Sequence, residues 1–187
     1  MKKKVIVVLA DGFEEIEAIT PIDVLRRAGM EVMVAALETM EVKSSRGLVV
    51  KADVLFEDVT EIPDAVILPG GPGAESLGRS EKLKKFLQKM KESQKWIGAI
   101  CAAPALVLGR HAMLEGKKAT CYPGYENQLG PKAVFVDERV VRDGFVVTSR
   151  GPGSAMEFSL ELVRQLVDER TANVVAGKML VEIRGKG

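Results

Sequence analysis

The sequence predicts an α/β protein: a flavodoxin-like, three-layer sandwich whose mainly parallel sheet lies between two layers of helices. Three observations carry this. Short runs rich in β-branched residues, at 4–10, 31–37, 64–68 and 96–100, alternate with stretches of helical periodicity. The runs are almost continuously apolar, as strands buried on both faces must be. Strand, helix and strand follow one another at the spacing of crossover units, which build parallel sheets. The 187 residues show no internal repeat, linker or low-complexity tract, so a single domain over 1–187 is expected.

Residues 4–10 (KVIVVLA) form the first strand. Asp11 is placed to cap the following helix, Glu14 completes a capping box, and Gly29 stops the helix after Arg27 or Ala28. Residues 31–37 form the second strand. Residues 42–56 read as a hairpin or irregular excursion turning at Ser44-Ser45-Arg46-Gly47. A third strand, 64–68, ends in the loop Pro69-Gly70-Gly71-Pro72-Gly73. One long helix follows, with Leu83, Phe86, Leu87 and Met90 on one face and lysines opposite. After the strand 96–100 the chain switches at Cys101 to a helix over 101–109. Pro104 falls in its first turn, where a missing N–H costs little. A strand over 117–122 comes next, then a meander of 134–136, 139–142 and 145–149 turning at Asp143-Gly144. Arg150-Gly151-Pro152-Gly153 leads into a last amphipathic helix through Ala155, Phe158, Leu162 and Leu166.

Composition excludes several classes of function. Lys and Arg number 27 against 26 Asp and Glu, a net charge of +1, without the clustered basic surplus of a nucleic-acid or anionic-membrane binder. Two cysteines are too few for a disulfide scaffold and point to a reducing cytoplasm. The apolar run behind Lys2-Lys3-Lys4 is too short for a secretory signal, and the longest uncharged stretch, 96–109, is too short to span a bilayer. No Cys, His, Asp and Glu spacing suits a metal, and no Walker A or GxGxxG pattern is present. No cofactor is therefore expected.

Such sheets bind ligands at the carboxyl ends of their strands. There lie Asp11-Gly12, Pro69 to Gly73, Cys101, and Ser149 to Gly153. Cys101 stands between a buried strand and a helix of small residues, the position of a nucleophile elbow, where a helix N-terminus stabilises a thiolate. A buried structural cysteine is the other reading. Glu17 lies four residues before Pro21, which cannot donate to its carbonyl, and its helical stripe (Thr20, Pro21, Val24, Ala28) is uncharged. It therefore points inward, where a carboxyl has a raised pKa; the alternative is a surface glutamate in an acidic first turn. Gly70 and Gly71 offer backbone N–H groups for an oxyanion hole, a phosphate turn, or only a tight turn. His111, the sole histidine, lies past the Cys101 helix and reads as a surface or helix-end residue. Cys121 reads as an apolar strand residue.

The segments LADGFEEIEAITPIDVLRRAG, VILPGG, AICAAP and TSRGPG, in this order, resemble the ThiJ/PfpI superfamily, in the branch of the Parkinson-disease-associated protein deglycase. The resemblance runs from about Val5 to the helix after Gly153. It implies a fold similar to class I glutamine amidotransferases and a homodimer. It implies that Cys101 is an oxidation-sensitive nucleophile and that Glu17, protonated, hydrogen-bonds it. Gly70, Gly71 and the amide of Ala102 match the oxyanion-hole region. Arg46 and Arg27 match arginines near the site or dimer interface, and Gly151-Pro152 the loop beside the cysteine. Tyr122-Pro123 departs from the pattern, since many relatives place a histidine before that proline.

The function this implies is a cofactor-independent glyoxalase or protein deglycase, acting on methylglyoxal, other small dicarbonyls or their adducts. The competing class is a non-enzymatic redox sensor or chaperone that works through oxidation of Cys101. A cysteine peptidase or amidase is weaker without a Cys–His pair, and no residue argues for thiazole biosynthesis.

Overall fold

The computed structural model describes residues 2–182. In chain order its strands are β1 (Lys4–Leu9), β2 (Glu31–Ala36), β3 (Glu41–Lys43), β4 (Val49–Lys51), β5 (Val54–Leu55), β6 (Ala65–Leu68), β7 (Trp96–Ile100), β8 (Lys118–Ala119), β9 (Val134–Phe135), β10 (Val140–Asp143) and β11 (Val146–Ser149). The helices are α1 (Glu15–Arg27), α2 (Gly73–Arg79), α3 (Glu81–Glu92), α4 (Ala155–Leu166) and α5 (Glu169–Lys178). Pro104–Gly109 forms a wide π-helical segment.

The main sheet runs β10-β11-β7-β6-β1-β2-β5. Every pairing is parallel except β10 with β11. From β1 the chain crosses to β2 on one side, whereas from β6 it crosses to β7 on the other. Right-handed crossovers therefore put α1 on one face and α2 with α3 on the opposite face. α4 joins α1, with α5 behind it, and the π-helical segment packs on α2. This is the predicted flavodoxin-like, class I glutamine-amidotransferase-like sandwich. Val5 to Leu9 and Ala65 to Leu68 are buried, as strands covered on both faces require.

Several elements differ from the sequence expectation, each for a local reason. Asp11 does not cap α1. Its Oδ1 accepts from Lys43 N at 2.9 Å, the chain turns at Gly12 (φ +86°), and Glu14 is the cap, accepting from Glu17 N at 2.9 Å. The single long helix after Gly73 is two, because Ser80 ends α2 and caps α3 through Leu83 N. The strand expected over 117–122 shrinks to β8. Thr120 N bonds the Thr148 side chain and Tyr122 N bonds Cys101 O, so neither continues a ladder. The meander is a hairpin of β10 and β11 only, because β9 pairs in parallel with β8. The helix through Phe158 is not the last. α5 follows it, capped by Asp168 Oδ1 on Thr171 N at 2.6 Å, with Ala172, Val175 and Ala176 buried. The excursion at 42–56 is the hairpin β3–β4, followed by β5, which adds to the edge of the main sheet.

Candidate active site

The direction of crossover reverses between β1 and β6, and at such a point the loops beyond the strand ends part to leave a crevice. Here those loops are knitted together. Glu14 N donates to Gly70 O at 3.2 Å and Gly73 N to Gly12 O at 3.1 Å. Gly71 has φ +77°, and a Cβ there would lie 2.5 Å from Gly12 O, so backbone meets backbone and no side chain fits.

Cys101 directly follows β7 with φ +65°, a left-handed conformation that non-glycine residues seldom adopt. It is held there from both sides: its N–H donates to Ser149 O at 2.9 Å, and its O accepts from Tyr122 N at 2.8 Å. The backbone is strained and over-determined, as in a nucleophile elbow. The side chain is 8% exposed.

Glu17 is fully buried on the first turn of α1. Its Oε2 accepts from Gly70 N at 2.8 Å, while Oε1 has no hydrogen-bond partner among the described residues. Burial pushes its pKa up to about 7; interaction with the Cys101 thiol opposes this, the nearby Glu14 charge adds to it, and the Gly70 amide opposes it. The Cys101 thiol is held above its ordinary value by burial and by the Glu17 charge, against the backbone amides of Gly71 and Ala102. This differs from the low thiol pKa expected of a helix N-terminus, because the carboxyl and the burial outweigh the amides. When Glu17 is protonated the repulsion disappears and its proton becomes a donor to sulfur. The pair thus favours one negative charge shared between two groups.

A single point shows how close these groups are. A Cβ built on Gly70 would sit 2.6 Å from Glu17 Oε2, 2.7 Å from Cys101 Cβ and 3.1 Å from Ala102 N. The Gly70 N–H serves the carboxyl and is not free for an oxyanion. Gly71 and Ala102 are the amides that act on the sulfur. Around Cys101 opens a cleft of about 520 Å³, whose lining includes Pro72, Leu106, Tyr122 and Tyr125. Gly151 packs against Tyr122, so the 151–152 loop does lie beside the cysteine segment.

The two arginines are elsewhere. Arg27 pairs with Asp23 at 2.7 Å at the far end of α1, about 15 Å of helix from Glu17, and faces a surface cleft with α5. Arg46 is exposed on the β3–β4 turn, and its backbone N donates to Glu15 Oε1 at 2.8 Å. Within one chain neither lines the Cys101 cleft. Of the remaining candidates, His111 is half-buried and held below its usual pKa, chiefly by burial. It is not in the cleft. Cys121 is fully buried, in a loop just beyond β8.

Residues 3–165 match the DJ-1/PfpI family. The chain belongs to that family. It is 41% identical to "Protein dj-1beta" of Drosophila melanogaster over 97% of this chain and 98% of the relative. It is 34% identical to "Glutathione-independent glyoxalase DJR-1.2" of Caenorhabditis elegans, covering 92% of each. With "Protein DJ-1 homolog B" of Arabidopsis thaliana the identity is 44% over 96% of this chain, which spans 42% of that protein's length. The solved structure titled "Toxoplasma gondii DJ-1, oxidized" superposes with a TM-score of 0.93 at 43% identity, covering 97% of this chain and 100% of that one.

Within this DJ-1/PfpI fold, sequence reasoning missed Tyr125, Leu106 and Glu75 as lining residues. The last two carry no separate sequence signal. Tyr125 does: it follows Tyr122 by three residues, and its N–H donates to Tyr122 O at 3.2 Å, closing a turn that brings both rings to the cleft. Glu75 carries no free charge there, since Arg79 and Arg110 both bind its Oε1.

Proposed function

We propose that this protein is a cofactor-independent glyoxalase or deglycase acting on 2-oxoaldehydes and their adducts. The observation that carries the reading is the buried Glu17 carboxyl beside Cys101, its pKa pushed up to about 7. A group half-ionised near neutrality both gives and takes protons efficiently. Glu17 takes the Cys101 thiol proton as the sulfur adds to the aldehyde carbon, forming a C–S bond, and passes that proton to the carbonyl oxygen to give a hemithioacetal. Developing negative charge on that oxygen is met by the amides of Gly71 and Ala102. Glu17 removes the proton from the aldehyde carbon and returns it to the adjacent carbonyl carbon through an enediol. The first carbon is thereby oxidised to a thioester and the second reduced to an alcohol, with no outside oxidant. Water then breaks the C–S bond, releasing a hydroxy acid and the thiol.

The name of the nematode relative agrees with this reading. Purified protein should convert methylglyoxal to lactate, and Cys101→Ala should abolish the conversion. A parent protein with no turnover refutes the proposal.

One observation favours a second reading, a redox sensor. The amides of Gly71 and Ala102 act on the sulfur and suit the oxygens of an oxidised cysteine equally well. We also propose a cytoplasmic homodimer. Ile16 and Ile19 on α1, with Leu48 and Val49 on the β3–β4 hairpin, are exposed apolar side chains that a second copy of the chain would cover. No described helix is long and apolar enough to cross a membrane.

A further inference from the structure

The Cys101 cleft has an apolar and aromatic side that the proton chemistry does not use. Tyr122, Tyr125 and Leu106 line it with the thiol, and Tyr122 stays 46% exposed. The position of the Tyr122 ring is built in. Its backbone N–H is tied to Cys101 O, so the residue moves with the nucleophile's own backbone. The ring lies against Gly151, where an added Cβ would sit 3.3 Å from Cδ2 and 3.7 Å from Cε2. Gly151 has φ 167°, extended backbone open to any residue, so the turn does not demand glycine, whereas a Cβ there would crowd the ring.

Charge on this wall is equally defined. No Lys or Arg lines the cleft among the described residues, and Glu75, its one carboxylate, is already bound by Arg79 and Arg110. An anionic substituent would lose water and gain no cation. A planar apolar substituent would gain contact with two rings and Leu106.

We propose that Tyr122, with Tyr125 and Leu106, selects 2-oxoaldehydes carrying an aryl or bulky apolar substituent over small or anionic ones. The inference rests on the glyoxalase reading of Cys101 and deepens it by naming the substrate class.

The test compares kcat/KM for phenylglyoxal and methylglyoxal in the parent, Tyr122→Ala and Tyr122→Phe, with thermal melts to confirm folding. The parent is expected to prefer phenylglyoxal. In Tyr122→Ala the ratio falls about tenfold, or about 1.4 kcal/mol, mainly through KM for phenylglyoxal. Tyr122→Phe, which keeps the ring, restores it. A parent that prefers methylglyoxal, or a ratio unchanged in a folded Tyr122→Ala, overturns the inference while leaving the glyoxalase reading intact. If the parent turns over neither aldehyde, the glyoxalase reading fails on its own. The wall is then tested by Cys101 alkylation, in which the sulfur displaces bromide from phenacyl bromide or bromoacetone. A phenacyl-to-acetonyl rate ratio that drops about tenfold in Tyr122→Ala keeps the aryl selection, and an unchanged ratio ends it.

Discussion

Gly70→Ala probes the packing between the carboxyl and the thiol more directly than changing either group. The new methyl would lie 2.6 Å from Glu17 Oε2 and 2.7 Å from Cys101 Cβ. Comfortable carbon contacts lie near 3.5–4.0 Å, so each neighbour must retreat by about 1 Å. Cys101 has little freedom to do so: its N–H is bound to Ser149, its O to Tyr122, and its φ is already +65°. Glu17 is the softer partner, and its retreat stretches the 2.8 Å bond from Gly70 N. Overpacking of this kind costs about 1–3 kcal/mol, and the weakened hydrogen bond adds about 1 kcal/mol. For a protein of this size each kcal/mol lowers Tm by about 2–4 °C, so a fall of about 4–16 °C is expected. Calorimetry measures it, and the rate of Cys101 modification by a disulfide reagent reports the disturbed pair. Gly153→Ala is the control: nothing lies within 4 Å of its Cβ position, and its change should stay within about 0.5 kcal/mol. A Gly70→Ala protein that melts with the parent and keeps its thiol reactivity would show that carboxyl and thiol are not packed as described.

Three further outcomes are expected. A carboxyl whose folded pKa is about 7, against an ordinary value of 4.5, binds its proton more tightly when folded. Its contribution is therefore fully present below about pH 4.5 and lost as pH rises through 7, by about 3 kcal/mol. Glu17→Gln should flatten that part of the stability–pH curve and abolish aldehyde turnover while Cys101 still oxidises; parent-rate turnover would remove Glu17 from the chemistry. Limited peroxide should modify Cys101 before the fully buried Cys121, as peptide mass spectrometry can check, and equal modification would count against the elbow. Gly177 lies inside α5 with open space at its Cβ position, so Gly177→Ala should raise stability by about 0.5–1 kcal/mol in denaturant titration.

Much of this fold is legible because its strands are buried on both faces. The runs at β1, β6 and β7 carry unbroken apolar residues, and no surface pattern competes with that reading. Cys101 is legible from its place between such a strand and small residues, and Glu17 from Pro21 and the uncharged stripe beneath it. The losses are of two kinds. Short elements such as β5, β8 and β9 exist through partners far along the chain, which no local pattern encodes. Caps are ambiguous where several candidates stand together: Asp11 and Glu14 both suit α1, and the decision falls to Lys43, which takes Asp11 for the hairpin. Ser80 and Asp168 were readable caps hidden inside stretches that still looked continuous or unstructured. The use of the Gly70 amide could not be read at all, since sequence does not say which way a backbone N–H points.

The strand order β10-β11-β7-β6-β1-β2-β5 also bears on how this site comes into being. Glu17 meets Gly70 across 53 residues, and the elbow is fastened by Ser149 and Tyr122 from still other parts of the chain. Contacts of such long range form late, after the loop-closure entropy of the intervening segments has been overcome. No isolated fragment contains the pair with its supports. During refolding, the thiol should therefore behave as an ordinary exposed cysteine until the central sheet has closed, and the burial of its reactivity becomes a clock for the final step of folding.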